Sequence, residues 1–187
     1  MRYLYIFIFL VIFLGTFKFI NDKGSYPNLD TPKDILGKGN IEIEVFADIE
    51  CPICHQSHKV MKQIESEFNV KIIYYHFPLT HLHKNAFKAA EAAECANDQG
   101  KFWDYVNLAH KNYDKLKNSD LKNYAKEINL DFDTFEKCLE SGAKKKVIKK
   151  DIREGLKRDV QGTPTFYING NELEKWKYES FKAAIIQ

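Results

Sequence analysis

Ile41-Glu42-Ile43-Glu44-Val45-Phe46-Ala47-Asp48-Ile49-Glu50-Cys51-Pro52-Ile53-Cys54 is the stretch on which the reading of this chain turns. From Ile41 to Phe46 apolar and acidic residues alternate with the period of two that a strand imposes, and Asp48-Ile49-Glu50 then leads into two cysteines. Beyond Cys54 the apolar residues Val60, Met61, Ile64 and Phe68 recur at helical spacing, so the cysteines sit where a strand gives way to a helix. Two cysteines at this spacing can close a small disulfide ring. At a helix start the first sulfur meets unpaired backbone N–H groups and the positive end of the helix dipole, which favour a thiolate over a thiol. That is the chemistry of thiol–disulfide exchange.

Working outward, Val70 to Phe77 is rich in β-branched and aromatic residues and predicts a second strand, stopped by Pro78. Strand, helix, strand implies a parallel βαβ unit. Between His81 and Val160 the pattern is almost purely helical: Ala86, Ala89, Ala90, Ala92, Ala93 and Ala96, then Phe102 to Val106, Leu121 to Ile128, Asp131 to Ser141 ending at Gly142, and Ala143 to Asp159. Strand character returns at Pro164 to Ile168, is turned by Asn169-Gly170, and is followed by a closing helix from Tyr178 to Ile186. The organisation is α/β: a sheet domain formed by residues 41–80 and 161–187, with an all-helical subdomain, 81–160, inserted between its second and third strands.

In the other direction, Met1-Arg2 precedes 15 residues, Tyr3 to Phe17, with no charged side chain. That is short of the ~20 needed to span a bilayer and at the upper limit of a signal-peptide core. Residues 1–20 therefore read as a signal peptide or membrane anchor. The anchor is favoured, because Leu14-Gly15-Thr16-Phe17-Lys18-Phe19-Ile20 lacks the small residues of a cleavage site and Lys18 can snorkel. Either reading places the body outside the cytoplasm, in a periplasm or on the outer face of the cytoplasmic membrane, where disulfides persist. Residues 21–40, broken by Gly24, Pro27, Pro32, Gly37 and Gly39, read as a linker. With 28 basic and 26 acidic residues the net charge is only +2, which gives no support to a nucleic-acid partner. The lysines between Lys144 and Lys150 read as a solvated helix face.

Phe46-Ala-Asp-Ile-Glu-Cys-Pro-Ile-Cys54, Pro78-Leu79 with His83-Lys-Asn-Ala86, Ala89-Ala-Glu-Ala-Ala-Glu-Cys-Ala96, Gly100-Lys-Phe-Trp103, Phe135-Glu-Lys-Cys-Leu139 and Gly162-Thr-Pro-Thr-Phe166 together resemble the DsbA-like branch of the thioredoxin superfamily. The resemblance runs from about Gly39 to the C-terminus. It implies a thioredoxin fold with a helical insertion, a redox-active Cys51–Cys54 disulfide with no other cofactor, and Pro164 in cis. It makes Cys51 the exposed nucleophile and Cys54 the resolving thiol, with Pro52 and Ile53 in the active-site loop. Thr163 is then the residue whose backbone pairs with an extended substrate segment. The implied function is that of an exported thiol–disulfide oxidoreductase that introduces disulfide bonds into secreted or envelope proteins. Its partners would be reduced, unfolded substrate proteins, a quinone-linked membrane protein that reoxidises it, and the membrane itself if the N-terminal segment stays uncleaved.

Rival readings are a reductase or isomerase on the same fold and, from another class, a metal carrier or a chaperone-like binding protein. His55 and His58 follow the cysteines closely enough to suggest metal ligands. Pro52 in the turn and the short spacing favour the redox form, so no metal site is assigned and both histidines read as a solvated helix face. His81 and His83 read as loop or helix-start residues, and Phe102, Trp103 and Tyr105 as core or groove wall. Cys95 and Cys138 lie in the helical insertion, and an exported setting favours a structural disulfide between them, two buried thiols being the alternative. One position departs from the superfamily. Where thioredoxin-like proteins often carry a buried acid, six residues before the first cysteine, this chain has Val45, with Glu42 and Glu44 on the opposite strand face. Proton transfer at Cys54 then falls to Glu50, Asp48 or water.

Overall fold

The structure is a computed structural model and describes residues 35–186; the apolar segment and most of the linker read from the sequence lie outside the described residues. Its centre is a parallel pair. β2 (Ile41–Ala47) and β3 (Val70–His76) run side by side, Ile41 opposite Val70 and Ala47 opposite His76, joined by α1 (Pro52–Glu67). β4 (Thr165–Ile168) pairs antiparallel with the other edge of β2, and β5 (Asn171–Leu173) with β4 through the Asn169-Gly170 turn, where both residues have positive φ.

Before these strands comes β1 (Ile35–Leu36), antiparallel to β3, which gives the sheet order β1-β3-β2-β4-β5. The linker expected over residues 21–40 therefore gives way to sheet before Ile41. Two residues are too few to leave a period in the sequence. They are held by the backbone, which also supplies a bond from the Gly39 N–H to the Val70 carbonyl at 3.2 Å. A Cβ at Gly39 would fall 1.8 Å from the Asn69 carbonyl oxygen, so only glycine permits this approach.

Helices cover both faces of the sheet. Ile43, Val45 and Ala47 point to the side carrying α1 and the C-terminal α7 (Tyr178–Ile185), where Met61, Ile64, Phe166 and Phe181 complete the core. Phe46 points the other way, into a smaller cluster with Phe77, Val160 and Tyr167. This second face is covered by α6 (Lys145–Lys157), whose Gly155 lies so close to the rings of Phe46 and Phe77 that a Cβ would meet Phe77 at 2.6 Å. Glu44, on this face, is consequently buried. Its carboxylate accepts two hydrogen bonds from the Arg158 guanidinium, at 2.7 and 2.8 Å. The alternation put Glu44 on the face opposite Val45, and both faces of the strand are buried there.

Between β3 and β4 lie α2 (Ala86–Asn97), α3 (Phe102–Lys111), α4 (Asn118–Glu127), α5 (Phe132–Ser141) and α6. The alanines of α2 are buried along its length, since small side chains let neighbouring helices approach on every side. Asp131 caps α5 by accepting from the Thr134 N–H at 2.8 Å, and Gly142 ends it at φ 66°. Phe102 and Tyr105 are core residues, the Tyr105 hydroxyl donating to the Leu121 carbonyl at 2.9 Å. The lysine cluster is not wholly solvated: Lys144 is buried in an ion pair with Asp98. Among the described residues no helix is long and apolar enough to cross a membrane.

Candidate active site

Pro52 occupies the first turn of α1, where its missing N–H costs nothing, and Cys51 is the N-cap, extended at φ −78° and ψ 122°. A cap residue's side chain faces the free N–H groups of the first turn, and no acidic residue competes for them here. The other wall comes from the loop before β4. The Thr163–Pro164 peptide is cis, and the Thr163 carbonyl oxygen lies 3.7 Å from the Cys51 sulfur. Both cysteines are free thiols.

The two sulfurs are made unequal. Hydrogen bonding to the Cys54 thiol is the largest cause that lowers the Cys51 pKa, to about 6; burial opposes it, and the backbone N–H groups of Cys54 and Ile53 add to it. Cys54, one turn inward and 1% exposed, is pushed well above the usual thiol value, first by burial and then by its bond to the Cys51 thiolate and by that charge. Near neutral pH one sulfur is drawn toward the thiolate, although Cys51 is buried at 5% exposure and is not the exposed residue that the resemblance implied. The other is a thiol held in reserve beside it.

Neither acid of the preceding loop is placed to serve Cys54 through its carboxylate. Asp48 is buried and accepts the Glu50 N–H, the Leu79 N–H and His83 Nδ1, each at 2.8 Å, while its own backbone N–H faces the Cys54 sulfur at 3.5 Å. Glu50 accepts the Asn85 N–H and side-chain amide at 2.6 and 2.7 Å. Both carboxylates clamp the cysteine loop to the segment between β3 and α2. These clamps join residues some 31 to 35 positions apart, and only the presence of acids in the loop hinted at them.

His58 also differs from its reading as a solvated residue. It is 8% exposed, bonded through Nε2 to Asn107 Oδ1 at 2.7 Å and stacked on His110 at 4.5 Å between ring centroids. The signal was present in the spacing, because His58 falls on the stripe formed by Cys54, Met61 and Ile64. Its engagement with Asn107 occupies one of the four members of the Cys-His cluster that suggested a metal. Among the described residues no group of three or more His, Cys, Asp or Glu is arranged to hold one.

Ile53 is 48% exposed next to Cys51 in the chain. A separate groove of about 330 Å³, which neither cysteine lines, has a mixed wall of Phe77, Leu79, Ile152 and Leu156 with Thr80, His81 and Asp159. Away from this site Cys95 of α2 and Cys138 of α5 are joined in a disulfide with Cα atoms 5.8 Å apart.

The family model described as thioredoxin matches residues 37–187. The chain is 34% identical over 147 residues to the Na(+)/H(+) antiporter NhaA 1 of Salinispora arenicola, an alignment that takes in 78% of this chain and 22% of the antiporter. It thus spans about a fifth of the antiporters it matches. To the probable disulfide bond formation protein D of Bacillus anthracis it is 29% identical over 195 residues, covering 94% of this chain and 89% of that protein. Its fold is similar to BdbD from Bacillus subtilis in the oxidised form (TM-score 0.73, 23% identity, 82% of this chain and 91% of that one). It is also similar to the thiol–disulfide exchange protein alpha-DsbA2 from Wolbachia pipientis (TM-score 0.71, 20% identity, 85% and 89%).

Proposed function

The chain belongs to the thioredoxin family, and on that premise we propose that it is an extracytoplasmic thiol–disulfide oxidoreductase, an oxidase that passes its Cys51–Cys54 disulfide to reduced, unfolded proteins. The observation that carries this reading is the split between the two sulfurs: Cys51 lowered to about 6 at a helix start, Cys54 raised and buried one turn away. A substrate thiolate attacks the Cys51 sulfur of the disulfide, the Cys51–Cys54 bond breaks, and its electron pair leaves on Cys54, which takes up a proton. A second substrate thiolate then attacks the substrate sulfur of the mixed disulfide and expels Cys51 as a thiolate. The substrate has lost two electrons and the protein holds them as a dithiol.

A thiolate stabilised at neutral pH is a good leaving group and favours the reduced form of the pair, which makes the disulfide a stronger oxidant. The Thr163 backbone beside Cys51 and the exposed Ile53 suit an extended, unfolded segment better than a small polar thiol. The apolar N-terminal run and the Cys95–Cys138 disulfide suit an oxidising compartment. A quinone-linked membrane protein would restore the disulfide after each turnover.

Equilibration of the purified chain against glutathione tests the direction. A potential near ~−120 mV, with catalysed oxidation of a reduced, denatured substrate, supports the oxidase; one near ~−270 mV makes the chain a reductase.

A further inference from the structure

Cys54 must lose its proton to attack a mixed disulfide and regain one when it is expelled, yet the strand position that would offer a carboxylate is Val45, and Asp48 and Glu50 are committed to the loop clamps. Cys54 instead shares a small cavity with Val45, Ser57, His58, Tyr74 and His110, with room for about one water. No acid lines it. We infer that His58 handles the proton of Cys54, exchanging it through a water in this cavity.

The placement follows from the helix. His58 stands four residues after Cys54 on the buried face of α1, so both side chains enter the cavity one turn apart. Asn107 Oδ1 can only accept, so His58 Nε2 carries the ring proton and Nδ1 keeps its lone pair. The ring is further fixed by its stack on His110, which is itself bonded to the Tyr74 hydroxyl through Nε2 at 3.1 Å. His110 is a poorer candidate, because it is 1% exposed and its Nδ1 is buried with no hydrogen-bond partner. His58 keeps a small exposed area, 8%, through which solvent can take up or return the proton.

Burial lowers the His58 pKa to about 4, Lys62 and His55 of α1 adding to the effect and the bond to Asn107 opposing it. His110 on α3 is likewise held well below the usual imidazole value, first by burial and then by His58, His55 and His76 of β3. At neutral pH both rings rest in the neutral, accepting form.

The step rests on the exchange reaction proposed above and balances in either direction. When Cys54 resolves a mixed disulfide, its proton passes through water to His58 Nδ1. Its sulfur bonds to Cys51, and the bond between Cys51 and the partner breaks with the electron pair leaving on the partner thiolate. When a substrate thiolate opens the Cys51–Cys54 disulfide, the pair leaves on Cys54 and the proton returns.

Oxidised glutathione and the reduced full chain separate this step from the first. Cys51 attacks glutathione and forms a mixed disulfide, which Cys54 then resolves, and acid quenching with mass analysis follows both. His58→Phe is expected to slow the second step on the order of 10²-fold while leaving the first unchanged. His58→Gln, which can keep the bond to Asn107, is expected to be as slow. His58→Ala is expected to be slow and to be accelerated by added imidazole, which repacking alone would not produce. A second step at the wild-type rate in His58→Gln, or no imidazole rescue of a slowed His58→Ala whose circular dichroism is native, overturns the inference and leaves the redox reading standing. A wild-type chain that oxidised glutathione converts neither to a mixed disulfide nor to the Cys51–Cys54 disulfide overturns both.

Discussion

The two cysteine pairs share a chemistry and differ in everything around it. Cys51 and Cys54 lie in one helical turn, beside a loop 112 residues away and at the point where a helix offers unsatisfied N–H groups. Cys95 and Cys138 are 43 residues apart, both inside helices and both buried among apolar side chains. The first pair stands at a helix start, and its two sulfurs are electrostatically unequal. The second ties together two helix interiors. Solvent exposure does not separate them, Cys51 being 5% exposed and Cys138 3%; position relative to a helix end does.

The largest effect expected is at the first pair. Cys51→Ser should abolish exchange, read as loss of all catalysed oxidation of a reduced substrate, whereas Cys95→Ala/Cys138→Ala should leave the exchange rate of the folded protein near wild type. Equal loss in both variants would erase the distinction drawn here. The double variant should instead lose about 2–4 kcal/mol of stability in urea denaturation under oxidising conditions, through loss of the loop constraint on the unfolded chain.

Cys54→Ala removes the hydrogen-bond donor that makes the largest contribution to the lowered Cys51 pKa. The half-maximal pH for alkylation of Cys51 by iodoacetamide should therefore move up from about 6, and mixed disulfides should accumulate. An unchanged profile would mean that the helix start alone stabilises the thiolate.

The smallest effect is a pH dependence confined to the reduced form. Cys51 titrates lower folded than unfolded, so the unfolded state binds more protons between about 6 and 9 and stability rises across that window. The contribution is full above pH 9 and is lost as pH falls through 6. Urea titrations of the reduced wild-type chain against Cys51→Ser should diverge as the pH is raised; parallel curves would remove the argument for a stabilised thiolate.

Much of this was legible locally. The βαβ order and the helical run after Phe77 follow from periods of 2 and 3.6 in the side chains, and a cysteine at a strand-to-helix junction announces its own chemistry. The alternation in β2 correctly put Glu44 on the face opposite Val45, but a period says only which residues share a face, and not whether that face meets water. His58 misled because its residue type suggested solvent, although it stood on the apolar stripe of α1. β1 left no trace, since two residues held by backbone bonds need no side-chain pattern.

By itself, then, the sequence determined the order of elements from β2 onward and the cysteine pair at a strand-to-helix junction, because both arise from residues within a turn or a strand of one another. The tertiary structure alone decided that Asp48 and Glu50 are clamps, that Glu44 is closed off by Arg158, and that the space behind Cys54 is lined by histidines. Each depends on side chains tens of residues apart meeting where water is excluded, where an unpaired charge is too costly to leave and every polar atom must find its partner.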